Sequence, residues 1–204
     1  MFGLFFDVRL HEGHLPAYFG WVDQLRETLA GHPGLIWLER FKPLGGDDNS
    51  LLSHQLWRDE ASIRAWRNEP RHRHAQQAGR QNHFAGYRIR LGPRWLWMQA
   101  GGALIRDNPA SLPPPEAEAG CIISIHGLLE TLPQGEGWQC FASVSREGWG
   151  LARHDRLDAG YAESTIHQAC LNGAVKAEAF IISRDYGLAD SPHQTGSKTP
   201  EAGS

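Results

Sequence analysis

Residues 4–30, LFFDVRLHEGHLPAYFGWVDQLRETLA, change period once, and that change decides the fold. Leu4, Phe6, Val8 and Leu10 alternate with Phe5, Asp7 and Arg9, the two-residue period of a strand. His11-Glu12-Gly13-His14 turns the chain, and Pro16 sits where a first helical turn tolerates proline. Leu15, Tyr18, Val22, Leu25 and Leu29 then recur at three- and four-residue steps, with Phe19 beside them. That spacing is an amphipathic helix with one apolar stripe. Gly31-His32-Pro33-Gly34 stops it.

Reading outward, Leu35–Phe41 and Leu51–Trp57 are strands, joined as a hairpin by Gly45-Gly46-Asp47-Asp48-Asn49. Asp59 is placed to cap a helix carrying Ile63 and Trp66. Pro70, which cannot donate an interior hydrogen bond, interrupts that helix. A second helical stretch over roughly 71–85 is rich in His, Arg and Gln, and Tyr87–Leu91 alternates as a fourth strand. The order β-α-β-β-α-β is the split βαβ motif, so residues 1–95 are expected to form a ferredoxin-like α+β domain. Helices cover one face of such a sheet. The other face needs a second copy or a second domain.

Residues 96–119 read as a Pro-rich connection, with Pro109 and Pro113-Pro114-Pro115 breaking structure and Trp95 to Met98 packing on a domain. Residues 120–190 read as a second, diverged half. Its strands are Cys121–Leu129, Gln139–Ser145, Trp149–His154 and Ala179–Ser183, with a helix over Tyr161–Leu171. No helix is visible after the first of these strands. Residues 191–204 are polar and expected to be disordered. The fold class expected for the chain is α+β, with two ferredoxin-like halves forming an α/β barrel of the kind otherwise made by a dimer.

Composition narrows the function classes. A net charge of −3 offers no basic footprint for nucleic acid. No apolar run approaches the about 18 residues that cross a bilayer. Three cysteines, at 121, 140 and 170, form no CxxC pair or disulfide framework, which suits a reducing, cytoplasmic compartment. Eight Trp supply rigid aromatic surface for a pocket or a core. The expected partner is a small-molecule substrate, without nucleic acid or membrane, and a homodimer is one expected assembly.

The first domain resembles the antibiotic biosynthesis monooxygenase family. The residues that carry the resemblance are Gly13-His14 with Tyr18-Phe19, Pro33-Gly34-Leu35-Ile36, and above all the run from Trp57-Arg58-Asp59 to Ala65-Trp66-Arg67. His72, Ala75-Gln76, Gly79-Arg80 and Phe84 through Arg90 complete the set. Ser183-Arg184-Asp185-Tyr186-Gly187 resembles the segment after the last strand of simple members, here placed behind the second half. A tandem duplication and an insertion both explain this, and the strand order of 121–183 favours duplication.

The resemblance implies oxidation chemistry of uneven kinds. Some members oxygenate quinols and aromatic rings without a cofactor; others degrade haem held by an axial His. In the haem-degrading relatives that His lies about ten residues after the helix Trp, but here position 76 is Gln. His72 and His74 lie nearer Trp66, and on a helix they point away from each other. No Cys/His spacing marks a metal site. No cofactor is therefore expected, with haem or a His-bound metal as the alternative, in a binding protein or a metal-dependent enzyme respectively. Cofactor-free oxygenation needs a base, an oxyanion stabiliser and aromatic walls. The candidates are His54 or His72 as base and Arg40 or Arg88 as stabiliser, with Trp37, Trp57, Trp66 and Phe84 as walls.

Overall fold

The computed structural model describes residues 1–107, 120–155 and 159–187. Pro109, Pro113 to Pro115 and the tail 191–204 lie outside the described residues. The first half runs β1 (Phe2–Leu10), α1 (Leu15–Ala30), β2 (Leu35–Pro43), β3 (Ser50–Trp57), α2 (Glu60–Asn68), α3 (Pro70–Ala78) and β4 (Phe84–Gln99). A π-helical turn, Gly79–His83, joins α3 to β4. The short β5 (Ile105–Arg106) folds back on β4. The second half runs β6 (Cys121–Leu128), β7 (Trp138–Ser143), β8 (Trp149–Asp155), α4 (Ala159–Leu171), β9 (Lys176–Ile181) and β10 (Arg184–Gly187).

Local chemistry explains the helix boundaries. The Asp59 carboxylate accepts from the backbone N–H and the hydroxyl of Ser62, each at 2.7 Å, which starts α2. Those same bonds, foremost the one from the Ser62 hydroxyl, hold the Asp59 carboxyl below its ordinary pKa. Glu69 ends α2 and caps α3 by accepting from the His72 N–H at 2.7 Å. Pro70 then occupies the first turn of α3, where its missing N–H costs no hydrogen bond.

The strands close on themselves. Their hydrogen-bonded order is β1-β3-β2-β7-β8-β6-β9-β4, and β4 pairs back to β1. This is an eight-stranded barrel. The order β4-β1-β3-β2 of the first half recurs as β9-β6-β8-β7 in the second, and the seams are β2–β7 and β4–β9. The expectation of two complete ferredoxin-like halves is corrected on one point. After β6 the chain makes only a 3-10 turn, Leu129–Thr131, so the second half keeps one helix and the sheet is a single closed surface. The fourth strand is also longer than the 87–91 expected, because β4 runs through Pro93 to Gln99. Its first part pairs β1 and its last part pairs β9, so the apolar Trp95 to Met98 segment is barrel wall, not connection. No helix among the described residues is long and apolar enough to cross a membrane.

Two layers of core follow from strand alternation. One face of every strand points into the barrel, where Phe5, Phe41, Leu52, Leu56, Ile122, Phe141, Leu151 and Phe180 meet. The other face is covered by helices. In the second half α4 packs down on Ile123, Ile125, Ala177 and Ala179 through its own Ala162 and Ile166. In the first half the covering layer divides into a cluster around Val8, Leu10, Tyr18 and Leu51 and another around Trp57, Ile63 and Trp66.

The barrel interior also holds charge. At one end Arg90 and Arg153 lie between Asp7 and Asp155, with Arg90 to Asp7 at 2.9 Å and Arg153 to Asp7 at 2.7 Å. The two arginines also reach Asp155, at 2.6 and 3.1 Å. On the β4–β9 seam Arg94 meets the fully buried Glu178 at 2.9 Å. In the centre His54 of β3 and His126 of β6 stack with ring centroids 5.4 Å apart. Neither ring nitrogen of either residue has a hydrogen-bond partner among the described residues. Burial, then the charge of Lys176, holds both imidazoles neutral, well below the ordinary value of 6.5.

Two measurements check this interior. The unfolded chain takes up protons at His54 and His126 below about pH 6.5, whereas the folded chain refuses them. Stability therefore falls as pH drops through that value, by up to about 1.4 kcal/mol per pH unit for each His. Urea unfolding at pH 7.0 and 5.5 should show that loss, and a His54→Leu/His126→Leu variant should lack it. Gly92 tests the seam. A Cβ there would lie 1.8 Å from the Ile181 carbonyl oxygen, a backbone atom that cannot swing aside. Gly92→Ala should cost about 3 kcal/mol in the same assay.

Candidate active site

The apolar stripe of α1 does not rest on the sheet along its whole length. Tyr18 and Leu29 are buried at its two ends, while Val22 and Leu25 between them stay half-buried. They roof a cavity of about 800 Å³, with α3 and the π-helical turn on its flank and β1 to β4 as its floor. A volume of this size accommodates a drug-sized molecule. Phe6, Tyr18, Trp66, Phe84 and Tyr87 give it aromatic walls. Gly79 is required there, since a Cβ would fall 2.4 Å from the Phe84 ring.

His72 is brought to this cavity by α3. Its ring lies flat on Trp66, with centroids 4.2 Å apart and planes 16° apart. Its Nδ1 is 2.9 Å from the Trp66 carbonyl oxygen. A carbonyl only accepts, so this contact places the proton on Nδ1 and leaves Nε2 a lone pair, while the Gln76 amide nitrogen also lies 3.1 Å from Nδ1. Burial pushes the His72 pKa below its ordinary value, against the opposing pull of that hydrogen bond and of Glu69. His72 is thus a neutral imidazole whose Nδ1–H tautomer is favoured by the Trp66 carbonyl. Nearby, His14 and His83 face each other with Nδ1 atoms 3.0 Å apart, so one donates to the other at the cavity rim.

The floor carries a polar chain. The Trp57 indole N–H donates to the Gln55 Oε1 at 2.9 Å, and the Gln55 amide donates to the Ser53 hydroxyl at 3.2 Å. Arg40 is the cross-strand partner of Ser53. Its Nε is buried with no hydrogen-bond partner among the described residues.

Of the residues read from the sequence, Arg40, His72, Trp66 and Phe84 converge on this cavity. Four others do not. His54 and Trp37 point into the barrel, 5.0 Å apart edge to face, so His54 cannot serve with His72. Arg88 also lies on the barrel side of β4 and pairs with Asp185 through its Nε at 2.8 Å. Trp57 is fully buried behind Gln55 and supports the floor without lining the cavity. One parity error explains the first three. Alternation separates two faces of a strand, and in a barrel both faces are covered.

Sequence reasoning also missed Ser53, Gln55, Tyr87 and Tyr186. Tyr186 reaches the cavity because β10 pairs with Leu91 to Arg88 of β4, although it follows the second half in sequence. Its hydroxyl pKa is raised, first by burial. The signal was present in the resemblance of Ser183 to Gly187 to a segment that closes simple family members.

Comparison with known proteins is informative at this point. The family profile described as antibiotic biosynthesis monooxygenase matches residues 1–78, the segment that supplies α1, α3, Trp66 and His72. Residues 1–78 are thus similar to the antibiotic biosynthesis monooxygenase family. A relative named jasmonate monooxygenase ABM, from Pyricularia oryzae, is 34% identical over 92 residues, covering 45% of this chain and 42% of that protein. The chain therefore aligns with less than half of that relative's length. A crystal structure from Pseudomonas aeruginosa is 12% identical, covers 52% of this chain and 93% of its own, and has a TM-score of 0.39. An anthrone oxidase-like protein is 6% identical, covers 93% of this chain and 94% of its own, and has a TM-score of 0.40.

Two cofactor questions of the family meet residues of this chain. Gln76, at the position of the axial His in haem-degrading members, donates its amide to the Arg67 carbonyl at 3.1 Å. An amide so engaged does not suit a haem iron, which takes an imidazole there. Among the described residues no group of three His, Cys, Asp or Glu is placed to hold a metal ion.

The tautomer of His72 is directly measurable. Nitrogen-15 NMR at pH 7 should find it neutral with the proton on Nδ1, titrating below the ordinary imidazole value of 6.5. A protonated ring at pH 7, or an Nε2–H tautomer, contradicts the geometry.

Proposed function

We propose that the chain is a monooxygenase-type enzyme that oxidises a small aromatic or quinol-type molecule in the 800 Å³ cavity, without a cofactor. The observation that carries this reading is His72, a neutral imidazole stacked on Trp66 at the wall of an aromatic cavity. The family of residues 1–78 supports it.

The chemistry follows from those groups. His72 Nε2 takes the proton of a phenolic or quinolic hydroxyl, which is general base catalysis. The resulting electron-rich anion transfers one electron to dioxygen, and the two radicals combine to form a carbon–oxygen bond. Loss of water from the hydroperoxide leaves the oxidised ring. One oxygen atom ends in the product and the other in water, so no outside reductant is needed. Trp66 and Phe84 clamp the ring, and the arginines that line the cavity supply positive charge while the anion exists.

An oxygen electrode tests the reading. Electron-rich phenols and hydroquinols that bind the cavity should consume oxygen above their autoxidation rate. His72→Ala should lower kcat/KM by about a hundredfold or more. Because the base must be neutral, the wild-type rate should hold down to about pH 6.5 and fall only below it. Ligands that bind but consume no oxygen above background, or a His72→Ala variant with unchanged turnover, refute the assignment.

A further inference from the structure

The cavity is asymmetric in charge. Four arginines line it, Arg40, Arg67, Arg73 and Arg80, and no Asp or Glu does. None of the four is ion-paired among the described residues. Three of them are exposed at the mouth, but Arg40 is in the floor. Elsewhere in this protein buried arginines are answered. Arg90, Arg94 and Arg153 each hold a carboxylate at 2.9 Å or less. Half-buried Arg40 has no carboxylate among the described residues, and its Nε is out of contact with solvent and without an acceptor there.

Beside it, Ser53 points the same way. Its oxygen accepts from Gln55, whose amide is itself set by the Trp57 indole. The Ser53 proton has no acceptor among the described residues and is left over as a donor. The floor therefore presents a guanidinium and a hydroxyl, both donating, from adjacent positions on β2 and β3.

We propose that the ligand of this cavity is an organic anion, an apolar ring body bearing a carboxylate, and that Arg40 with Ser53 is the subsite for that carboxylate. This deepens the oxidation reading, on whose cavity it rests. The argument is one of desolvation. A ligand that fills the cavity expels the water that otherwise solvates Arg40 and Ser53. It must then supply the acceptors itself, or leave a cation and a hydroxyl unsatisfied in an apolar chamber. A charge that develops only during reaction answers this too late, because the penalty arises on binding. A planar carboxylate matches the fork of the guanidinium, and the exposed arginines at the mouth favour entry of the same charge.

The test is equilibrium binding under anaerobic conditions, which separates it from turnover. Naphthalene-2-carboxylate and naphthalene-2-carboxamide share shape and differ in charge. Calorimetry on the full chain should find the carboxylate at least tenfold tighter. Arg40→Met should abolish that preference while leaving carboxamide affinity within about threefold. Arg40→Lys should keep part of it, and Ser53→Ala should weaken the carboxylate alone. Equal affinities in the wild type, a preference that survives Arg40→Met, or no binding of either compound overturns the proposal. If Arg40→Met fails to fold, the wild-type pair of ligands with Arg40→Lys and Ser53→Ala still decides it. The oxidation reading stands or falls separately, on oxygen consumption.

Discussion

A closed barrel has an inside that one half of this chain cannot fill. That constraint shapes the rest of the structure. Asp7 and Arg90 come from the first half, Arg153 and Asp155 from the second, and each arginine is held by carboxylates of both. The β4–β9 seam repeats the arrangement with Arg94 and Glu178, and the β2–β7 seam does so with Glu39, which accepts from the Ser143 hydroxyl. Such buried pairs add little net stability, but losing one partner leaves an unanswered charge in a dry core. They therefore act on specificity. A register slip of one residue would turn every one of these side chains outward.

With the inner face committed to joining the halves, any ligand chamber has to lie on the outer face, beneath the helices. The two halves use that face differently. Ala177 and Ala179 of β9, facing Ala162 and Ile166 of α4, let the helix settle directly on the sheet. In the first half Phe6, Tyr18, Trp66 and Phe84 are too large to interdigitate so closely. They stand apart as walls, and the space between them is the cavity. The second half thus serves the site by completing the barrel, and by returning β10 with Tyr186 to the edge of β4.

The sequence made the element order legible because each boundary had a local cause. Alternation marks β1, the Asp59 carboxylate caps α2, and Pro70 divides α2 from α3. The site was legible only in part, since burial contrast is lost in a barrel. Residues 51–57 of β3 are all buried, so nothing in their hydropathy says that Ser53 and Gln55 face the cavity while Leu52 and His54 face the barrel. His54 and His72 looked alike as imidazoles near aromatic residues; only closure of the barrel separates them. The length of β4 was hidden by Pro93. A proline lacks the N–H that a strand needs, yet here it sits at the point where β4 leaves β1 and takes up β9.

The charge of the cavity bears on how a weak base can work there. Burial and the nearby Arg80 both lower the pKa of His72, which makes the imidazole a poorer proton acceptor taken alone. The same positive field lowers the cost of the anion that proton removal creates. Transfer from a phenol to His72 moves a positive charge onto the imidazole and leaves a negative one on the ring. The field opposes the first and favours the second, so the two effects offset in part. The balance tips once the proton passes on from His72, which is only half-buried and lies near the solvent-exposed residues of α3. The anion then remains in a cavity that four arginines and no Asp or Glu line. A neutral imidazole at the wall and a lining of arginines without an acidic residue are thus parts of one electrostatic arrangement, in which the cavity lets a proton leave and keeps the negative charge.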